Sequence, residues 1–263
     1  MGSSAWQSDK QAALALISSP DFWNSAERFV VLGKVEYLDR IESGFESAGS
    51  LLRRLAGNRA HYPRDLVQRL AQQLYLLDRA SSSLKAQEPS DTFLLIQAGR
   101  DSGETAVLTD DFARRLGGMY RTWAKKRHMQ TQVLEESAGD GKTPYRLLLA
   151  LSGFAAFAIL RLEDGLHVLE IPDPGDKSFK RYRVQVRILP QPHNPAGPGS
   201  EALRRQALET YDTAGSPNLN IVRRYRELPS PLVRDSVRGW RTGRLDRVFE
   251  GDFDLIVDKD REP

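Results

Sequence analysis

Apolar residues in the first third of the chain recur at the spacing of a helix face. Between Ser25 and Ala56, the positions Val31, Val35, Leu38, Ile41, Phe45, Leu52 and Leu55 lie three, four or seven residues apart, which places them on one stripe of an amphipathic helix. Gly57-Asn58 interrupts the stripe, and Pro63, a residue suited to the first turn of a helix, opens a second one through Leu66, Leu70, Leu74, Leu77 and Leu84. The simplest arrangement is an antiparallel helical hairpin, preceded by a shorter helix from about Lys10 to Ile17 that stops near Pro20.

Beyond the polar, proline-marked stretch Gln87 to Asp91, the pattern changes to short apolar runs. Phe93 to Ile96, Gln132 to Leu134, Tyr145 to Leu151, Ala156 to Leu162 and Tyr182 to Leu189 read as strands. In the last, Val184, Val186 and Ile188 face one way and Arg183, Gln185 and Arg187 the other, so one face is buried and the second offers cations. Asp110 to Arg127 reads as a helix with Phe112, Leu116, Tyr120 and Trp123 or Ala124 inward, weakened by Gly117-Gly118 and with Thr109-Asp110-Asp111 placed to cap it. A proline- and glycine-rich run from Pro190 to Ser200 leads into a helical pattern from Glu201 to Tyr211. Asn220 to Tyr225 then resumes as a strand, and Arg244 to Phe249 reads as a closing helix or turn. The expected architecture is α+β: a helical hairpin domain over residues 1–88, a mixed body over 89–190 and 216–258, and a linker over 191–215.

Composition narrows the chemistry. No cysteine is present, which excludes disulfides and thiolate catalysis, and His61, His128, His167 and His193 are scattered without metal-ligand spacing. No metal site, cofactor or catalytic residue is therefore nominated. No apolar run is long enough to span a bilayer, and the first residues lack the basic and apolar regions of a signal peptide. The expectation is a cytoplasmic protein with no membrane partner, or one of an organellar matrix or stroma. The formal charge is only +3, but Ile221 to Glu250 holds eight arginines against four carboxylates and no lysine. Such a segment suits bidentate contact with phosphate; its alternative reading is a solvated face with internal ion pairs. Trp23, Trp123 and Trp240 sit beside apolar residues, as packing anchors do.

Several separated blocks carry a resemblance. Pro20-Asp21-Phe22-Trp23-Asn24, Ala26-Glu27-Arg28, Leu32-Gly33-Lys34, Ile96-Gln97-Ala98-Gly99, Met119 to Ala124, Glu135 to Gly139, Gly165-Leu166-His167 and Val222 to Asp254 occur in one order. In that order they resemble the bacterial-type class I peptide chain release factors, release factor 2 most closely. The resemblance covers nearly the whole chain and implies an N-terminal helical domain, a central α+β body that reads the codon in the ribosomal A site, and a stalked domain carrying a Gly-Gly-Gln loop. In these 263 residues no Gly-Gly-Gln occurs, and the only adjacent glycine pair, Gly117-Gly118, is followed by Met119 and Tyr120. By the resemblance, the stalked domain belongs between Pro190 and Asn220, where the segment is too short to hold it. The hydrolytic domain reads as deleted.

The codon-reading elements depart from the family as well. Where release factor 2 carries Ser-Pro-Phe, this chain has Ile171, Pro172, Asp173, Pro174 and Gly175, followed by Asp176. Carboxylates there repel RNA phosphate. The family's Arg-His-Thr-Ser segment is replaced around Lys180, Arg181, Tyr182 and Arg183. Tyr182 is a candidate to stack on a base; packing on the body is its other reading. Lys180, Arg181, Arg183, Arg187, Arg223, Arg224 and Arg226 are the candidate RNA-facing cations. Gly99 to Thr105 corresponds to the family's glycine turn and lacks the Gly-Lys-Ser/Thr ending of a phosphate loop. Gly251-Asp252-Phe253-Asp254 matches a family turn that caps the last helix.

The function expected from this pattern is a noncatalytic release-factor-like protein that binds the ribosome, at its A site or ribosomal RNA, without hydrolysing peptidyl-tRNA. Messenger RNA in that site and a separate hydrolase protein are further candidate partners. The role is translation regulation or ribosome rescue. Two alternatives stand beside it: an RNA-binding regulator that protects particular transcripts away from the ribosome, and a protein-interaction adaptor that uses the helical hairpin.

Overall fold

Helix periodicity in the first third becomes three helices. The computed structural model describes residues 3–25, 27–57, 62–99, 103–139, 143–176, 178–192 and 199–254. Two compact units emerge, one built mainly from Met1–Pro89 and the other from Ser90–Gln191 with Gly197–Pro263. In the first, α1 (Ser3–Ile17) and α3 (Arg64–Lys85) both pack on α2 (Arg28–Gly57). Lys10 ties α1 to α2 through Asp39 and Glu42, each at 2.6 Å. The expected stripe of α2 is only partly interior. Leu38, Ile41 and Leu55 are buried, but Gly44 and Ala48 fill the rest of the seam, and Phe45 and Leu52 stand exposed. Small residues let two helix backbones approach, which pushes the bulky neighbours to the rim. Trp23 is also exposed, its ring edge-on to Phe22 at 5.3 Å, so it is no packing anchor.

The second unit is one eight-stranded sheet in the order β2-β3-β1-β5-β4-β6-β7-β8. The strands are β1 (Thr92–Ala98), β2 (Gln130–Ser137), β3 (Arg146–Ser152), β4 (Gly165–Pro172), β5 (Phe179–Pro190), β6 (Ile221–Arg226), β7 (Leu232–Asp235) and β8 (Arg241–Thr242). All neighbours run antiparallel except β4 and β6. One face is covered by α4 (Glu104–Lys126), with Phe112, Leu116, Tyr120, Trp123 and Ala124 all buried as their spacing predicts. Close packing explains one of the two glycines in that helix: a Cβ on Gly117 would meet Leu147 Cδ2 at 2.8 Å and the Tyr145 hydroxyl at 3.2 Å, whereas Gly118 has open space beside it. The helix begins at Glu104 with Gly103 as its cap residue, so Asp110 does not cap it. Asp110 is instead buried within the helix and accepts the Tyr145 backbone N–H at 2.7 Å.

Two further expectations change. Ala156 to Leu162 is not a strand but a short helix, α5 (Ala156–Leu160), running into a 3-10 turn at Arg161–Glu163. A run this short and buried on most sides shows no period that separates helix from strand. The segment expected as a linker is more than a tether, because α6 (Ser200–Thr213) buries Ala207 and Tyr211 against Phe93, Leu95, Leu134, Leu148 and Ala150 on the second face of the sheet. That helix covers the β2-β3-β1 end of the face. Part of the proline- and glycine-rich run and of the Gly99 to Thr105 loop lies outside the described residues; Gly103 does take a positive φ of 64° between β1 and α4.

The last helix, α7 (Leu245–Phe249), closes on Gly251 at φ 88°. The Gly251 N–H donates to the Val248 carbonyl at 3.0 Å and the Asp252 N–H to the Arg247 carbonyl at 3.0 Å, the paired bonds of a Schellman end. The chain then docks on α4: the Trp123 indole donates to Asp254 Oδ2 at 2.8 Å, and Arg127 Nε and Nη2 reach the same carboxylate at 3.0 and 2.5 Å. A Cβ on Gly251 would come within 2.6 Å of the Trp123 backbone nitrogen. Gly251→Ala is therefore expected to destabilise this unit by about 2 kcal/mol, seen as a lower urea midpoint; an unchanged midpoint would show that the tail is not held in this way.

Candidate nucleic-acid interface

Alternation along β6 sends neighbouring arginines to opposite sides of the sheet. Arg223 and Tyr225 face α4 and are fully buried, whereas Arg224 and Arg226 point to the second face and are half-buried. Arg223, expected among the RNA-facing cations, is thus internal. Its Nη2 bonds Glu163 Oε1 and Asp235 Oδ2, both at 2.7 Å, and its Nε bonds Asp235 Oδ2 at 3.1 Å. Arg238 completes the group, contacting Glu163 Oε1 and, at 3.2 Å, Asp235 Oδ2. Two carboxylates and two guanidinium groups balance in charge. The remaining Glu163 oxygen accepts from the Tyr120 hydroxyl at 2.9 Å, and Asp235 Oδ1 accepts the N–H groups of Val237 and Arg238 at 3.0 and 2.6 Å. No carboxylate oxygen here is left without a donor, as a buried ionic cluster requires.

Burial alone would raise the Glu163 carboxyl, but the adjacent Arg223 and Arg238 overcome it and hold its pKa down at about 2. His167, also fully buried, is pushed down by burial to about 4 against the pull of Glu163. It is neutral at pH 7, with Nε2 3.1 Å from the Glu163 carbonyl and Nδ1 3.0 Å from the Tyr225 hydroxyl. An Nε2–H donating to the carbonyl and an Nδ1 accepting from the phenol satisfy both ring nitrogens. Glu163, Asp235, Arg223 and His167 are buried and the carboxylates and imidazole are satisfied, while Arg238 reaches the rim with its Nε left without a partner, an arrangement that holds elements together.

The other expected cations separate by environment. Ile171 to Gly175 lies at the end of β4 and the tip of the β4–β5 hairpin, where the Asp173 N–H donates to the Ser178 carbonyl at 3.1 Å. The exposed cations beside this tip are paired: Lys180 with Asp173 at 3.6 Å and Arg181 with Glu170 at 3.5 Å. Tyr182 is buried on the α4 face, which removes it as a base-stacking ring. Arg187 is turned inward along the covered end: its guanidinium lies over Tyr211 at 5.3 Å and donates to the Ala214 and Gly215 carbonyls at 3.3 and 3.0 Å. Arg183 is exposed on the second face with Arg224 and Arg226. Two arginines that the strand pattern did not single out join them: Arg234 lies directly opposite Arg224, and Arg241 opposite Arg234. The signal that could have found them is the high arginine count of the segment, but strand register was needed to align them.

The sequence model of the PCRF domain matches residues 8–172, which takes in most of α1, all of α2 and α3, and the second unit as far as the end of β4. The chain belongs to the PCRF domain family. It is accordingly a class I release factor-like protein, as its ordered motif blocks imply. Among solved structures it is similar to RF2 of Thermus thermophilus, at 18% identity and a TM-score of 0.49 over 95% of this chain and 93% of that chain, a likeness too distant for any feature to be carried between the two. Among the described residues no helix is long and apolar enough to cross a membrane, and no group of three or more acidic or histidine side chains is placed to hold a metal ion.

A buried neutral histidine makes stability acid-sensitive in a defined window. The unfolded imidazole takes a proton near pH 6.5 and the folded one only near 4, so the unfolded state binds more protons between these values and stability falls as pH falls through them. Glu163 extends the loss from its ordinary carboxyl range down to about 2. Urea unfolding is expected to show about 2 kcal/mol less stability from His167 at pH 5 than at pH 7. The His167→Gln variant should lack that increment; an equal loss in both proteins would mean that His167 titrates normally.

Proposed function

We propose that this protein docks on the ribosome without hydrolysing peptidyl-tRNA, and acts by occupying the site rather than by releasing peptide. The observation that carries the reading is the combination of a PCRF domain match over residues 8–172 with the lack of any Gly-Gly-Gln tripeptide in these 263 residues. In release factors, hydrolysis at the peptidyl-tRNA ester depends on a loop that positions water and stabilises the developing charge. The buried Glu163, His167 and Asp235 support this reading by being committed to partners inside the second unit.

The hairpin tip supports occupancy without stop-codon reading. Asp173 and Asp176 stand where the resemblance puts a codon-reading hydroxyl, and the neighbouring Lys180 is already neutralised by Asp173. Those same carboxylates favour a second reading, an RNA-binding regulator freed from the decoding centre. Crosslinking separates the two, since decoding-centre ribosomal RNA supports docking and messenger ends support the regulator.

Purified protein added to empty and to stop-codon-programmed ribosomes is expected to co-sediment with both at low salt and to lose binding as salt rises. No labelled peptide should be released from the programmed complexes above background. Release at a rate dependent on this protein would overturn the noncatalytic part of the reading, and failure to sediment at any salt would overturn docking.

A further inference from the structure

The second face of the sheet is covered at one end and cationic at the other. Helix α6 closes the β2-β3-β1 end with Ala207 and Tyr211. Across the remaining strands, pairing aligns Arg183 on β5 with Val168 on β4, Val168 with Arg224 on β6, Arg224 with Arg234 on β7, and Arg234 with Arg241 on β8. These five positions form one rung, and because side chains alternate along each strand they share a face. Arg181 and Arg226 flank the rung, two residues along their strands from Arg183 and Arg224. Glu170, directly opposite both Arg181 and Arg226, is the one carboxylate that the neighbouring positions of this face carry. It is taken by Arg181 at 3.5 Å. Among the described residues, no carboxylate pairs with Arg183, Arg224 or Arg234.

Like charges directly opposite each other on adjacent strands destabilise a sheet. The repetition of arginine at facing positions is therefore not accounted for by the stability of the fold. An anion bridging the rung would compensate these charges. The span from β5 to β7 is three strand spacings, about 14 Å, which is long for a single small anion and suited to a row of phosphates. Guanidinium groups match phosphate oxygens bidentately. The face lacks what single-stranded RNA readers use, a platform of exposed aromatic rings: its one aromatic residue on these strands, Phe179, lies under Arg226 with the guanidinium 5.5 Å from the ring centroid.

We infer that this arginine rung, Arg183–Arg224–Arg234, binds the phosphate backbone of folded, double-helical RNA without reading its sequence, and that it rather than the hairpin tip is the main RNA contact of the second unit. The inference rests on the docking reading for its biological setting, because ribosomal RNA is the folded RNA that the reading supplies. Its physical content is independent of it.

The test uses the full chain and three binding partners: a fluorescently labelled RNA hairpin of about 20 base pairs, a single-stranded RNA of equal length, and purified ribosomes. Arg183 and Arg234 are exposed, so Arg183→Gln/Arg234→Gln is the variant least able to disturb folding, which thermal melting checks. For the hairpin, affinity at moderate salt is expected to fall about tenfold or more, equally for unrelated sequences, and the slope of log affinity against log salt to drop by about 2. Arg183→Lys/Arg234→Lys should keep the slope. Arg54→Gln/Arg69→Gln, with the same charge change on the helical unit, should leave slope and affinity nearly unaltered. If the Gln variants at both places weaken binding equally, the effect is net charge and the rung is not the site. Preference for the single strand over the hairpin would also overturn the inference. Ribosome binding that is unaffected by Arg183→Gln/Arg234→Gln would leave docking standing and remove the rung from it. Hairpin binding through the rung with no ribosome binding would do the reverse, and binding to none of the three would remove both.

Discussion

Four charged side chains gathered inside the second unit hold its distant parts in one arrangement. Glu163 comes from the 3-10 turn after α5, Arg223 from β6, Asp235 from the end of β7 and Arg238 from the turn after it. Taking two carboxylates and two guanidinium groups from water costs several kcal/mol per ion, offset only when charges and hydrogen bonds are both complete. That demand makes the geometry strict. The α5 turn must reach β6, and β7 must pair in the register that sets Asp235 opposite Arg223. Tyr120 and His167 extend the constraint to α4 and β4. The aromatic rings around it, with Arg223 5.0 Å from the Phe253 centroid and 5.2 Å from that of Trp240, exclude water and draw the C-terminal segment into the same core.

The two faces of the sheet divide the work that follows. The α4 face is mostly interior and carries the ionic cluster, with β2 exposing Val133 at its edge. The second face is split between α6 and the arginine rung. In the family that this chain belongs to, the resemblance places a hydrolytic domain in the stretch that holds α6, and here that helix packs on the sheet. Phe93, Leu95, Leu134, Leu148 and Ala150 form an apolar patch that needs a cover, and Ala207 and Tyr211 provide it. The Tyr211 hydroxyl donates to the Arg187 carbonyl at 3.1 Å and its ring lies beneath the Arg187 guanidinium, so the join is both apolar and polar. The proposed docking role requires a release-factor-like body, and α6 closes part of that body's second face.

Much of this was readable along the chain. Strong periodicity announced α2, α3 and the inward residues of α4, because many buried positions share one helical phase. Alternation announced β5, and the ordered motif blocks, which need no structure to be seen, announced the family. The lack of a Gly-Gly-Gln tripeptide in these residues is likewise a property of sequence alone. The errors fell where the period is too short to register or where the partner is remote. Five residues of α5 look like a buried strand, and Asp110 looks like a cap until its partner, the Tyr145 backbone 35 positions away, is known.

Arg223 and Arg224 mark the boundary between the two kinds of knowledge. The sequence by itself determined that adjacent strand residues point to opposite faces, that the segment is rich in arginine, and that carboxylates occupy the hairpin tip. It could not determine which face is covered, since that depends on α4, α5 and α6, elements outside the strand that dock only when the whole unit is formed. Tertiary structure turned Arg223 inward to Glu163 and Asp235 and left Arg224 on the open side in line with Arg183 and Arg234. The physical reason is that burial and charge compensation are properties of non-local neighbours, whereas periodicity is a property of the backbone.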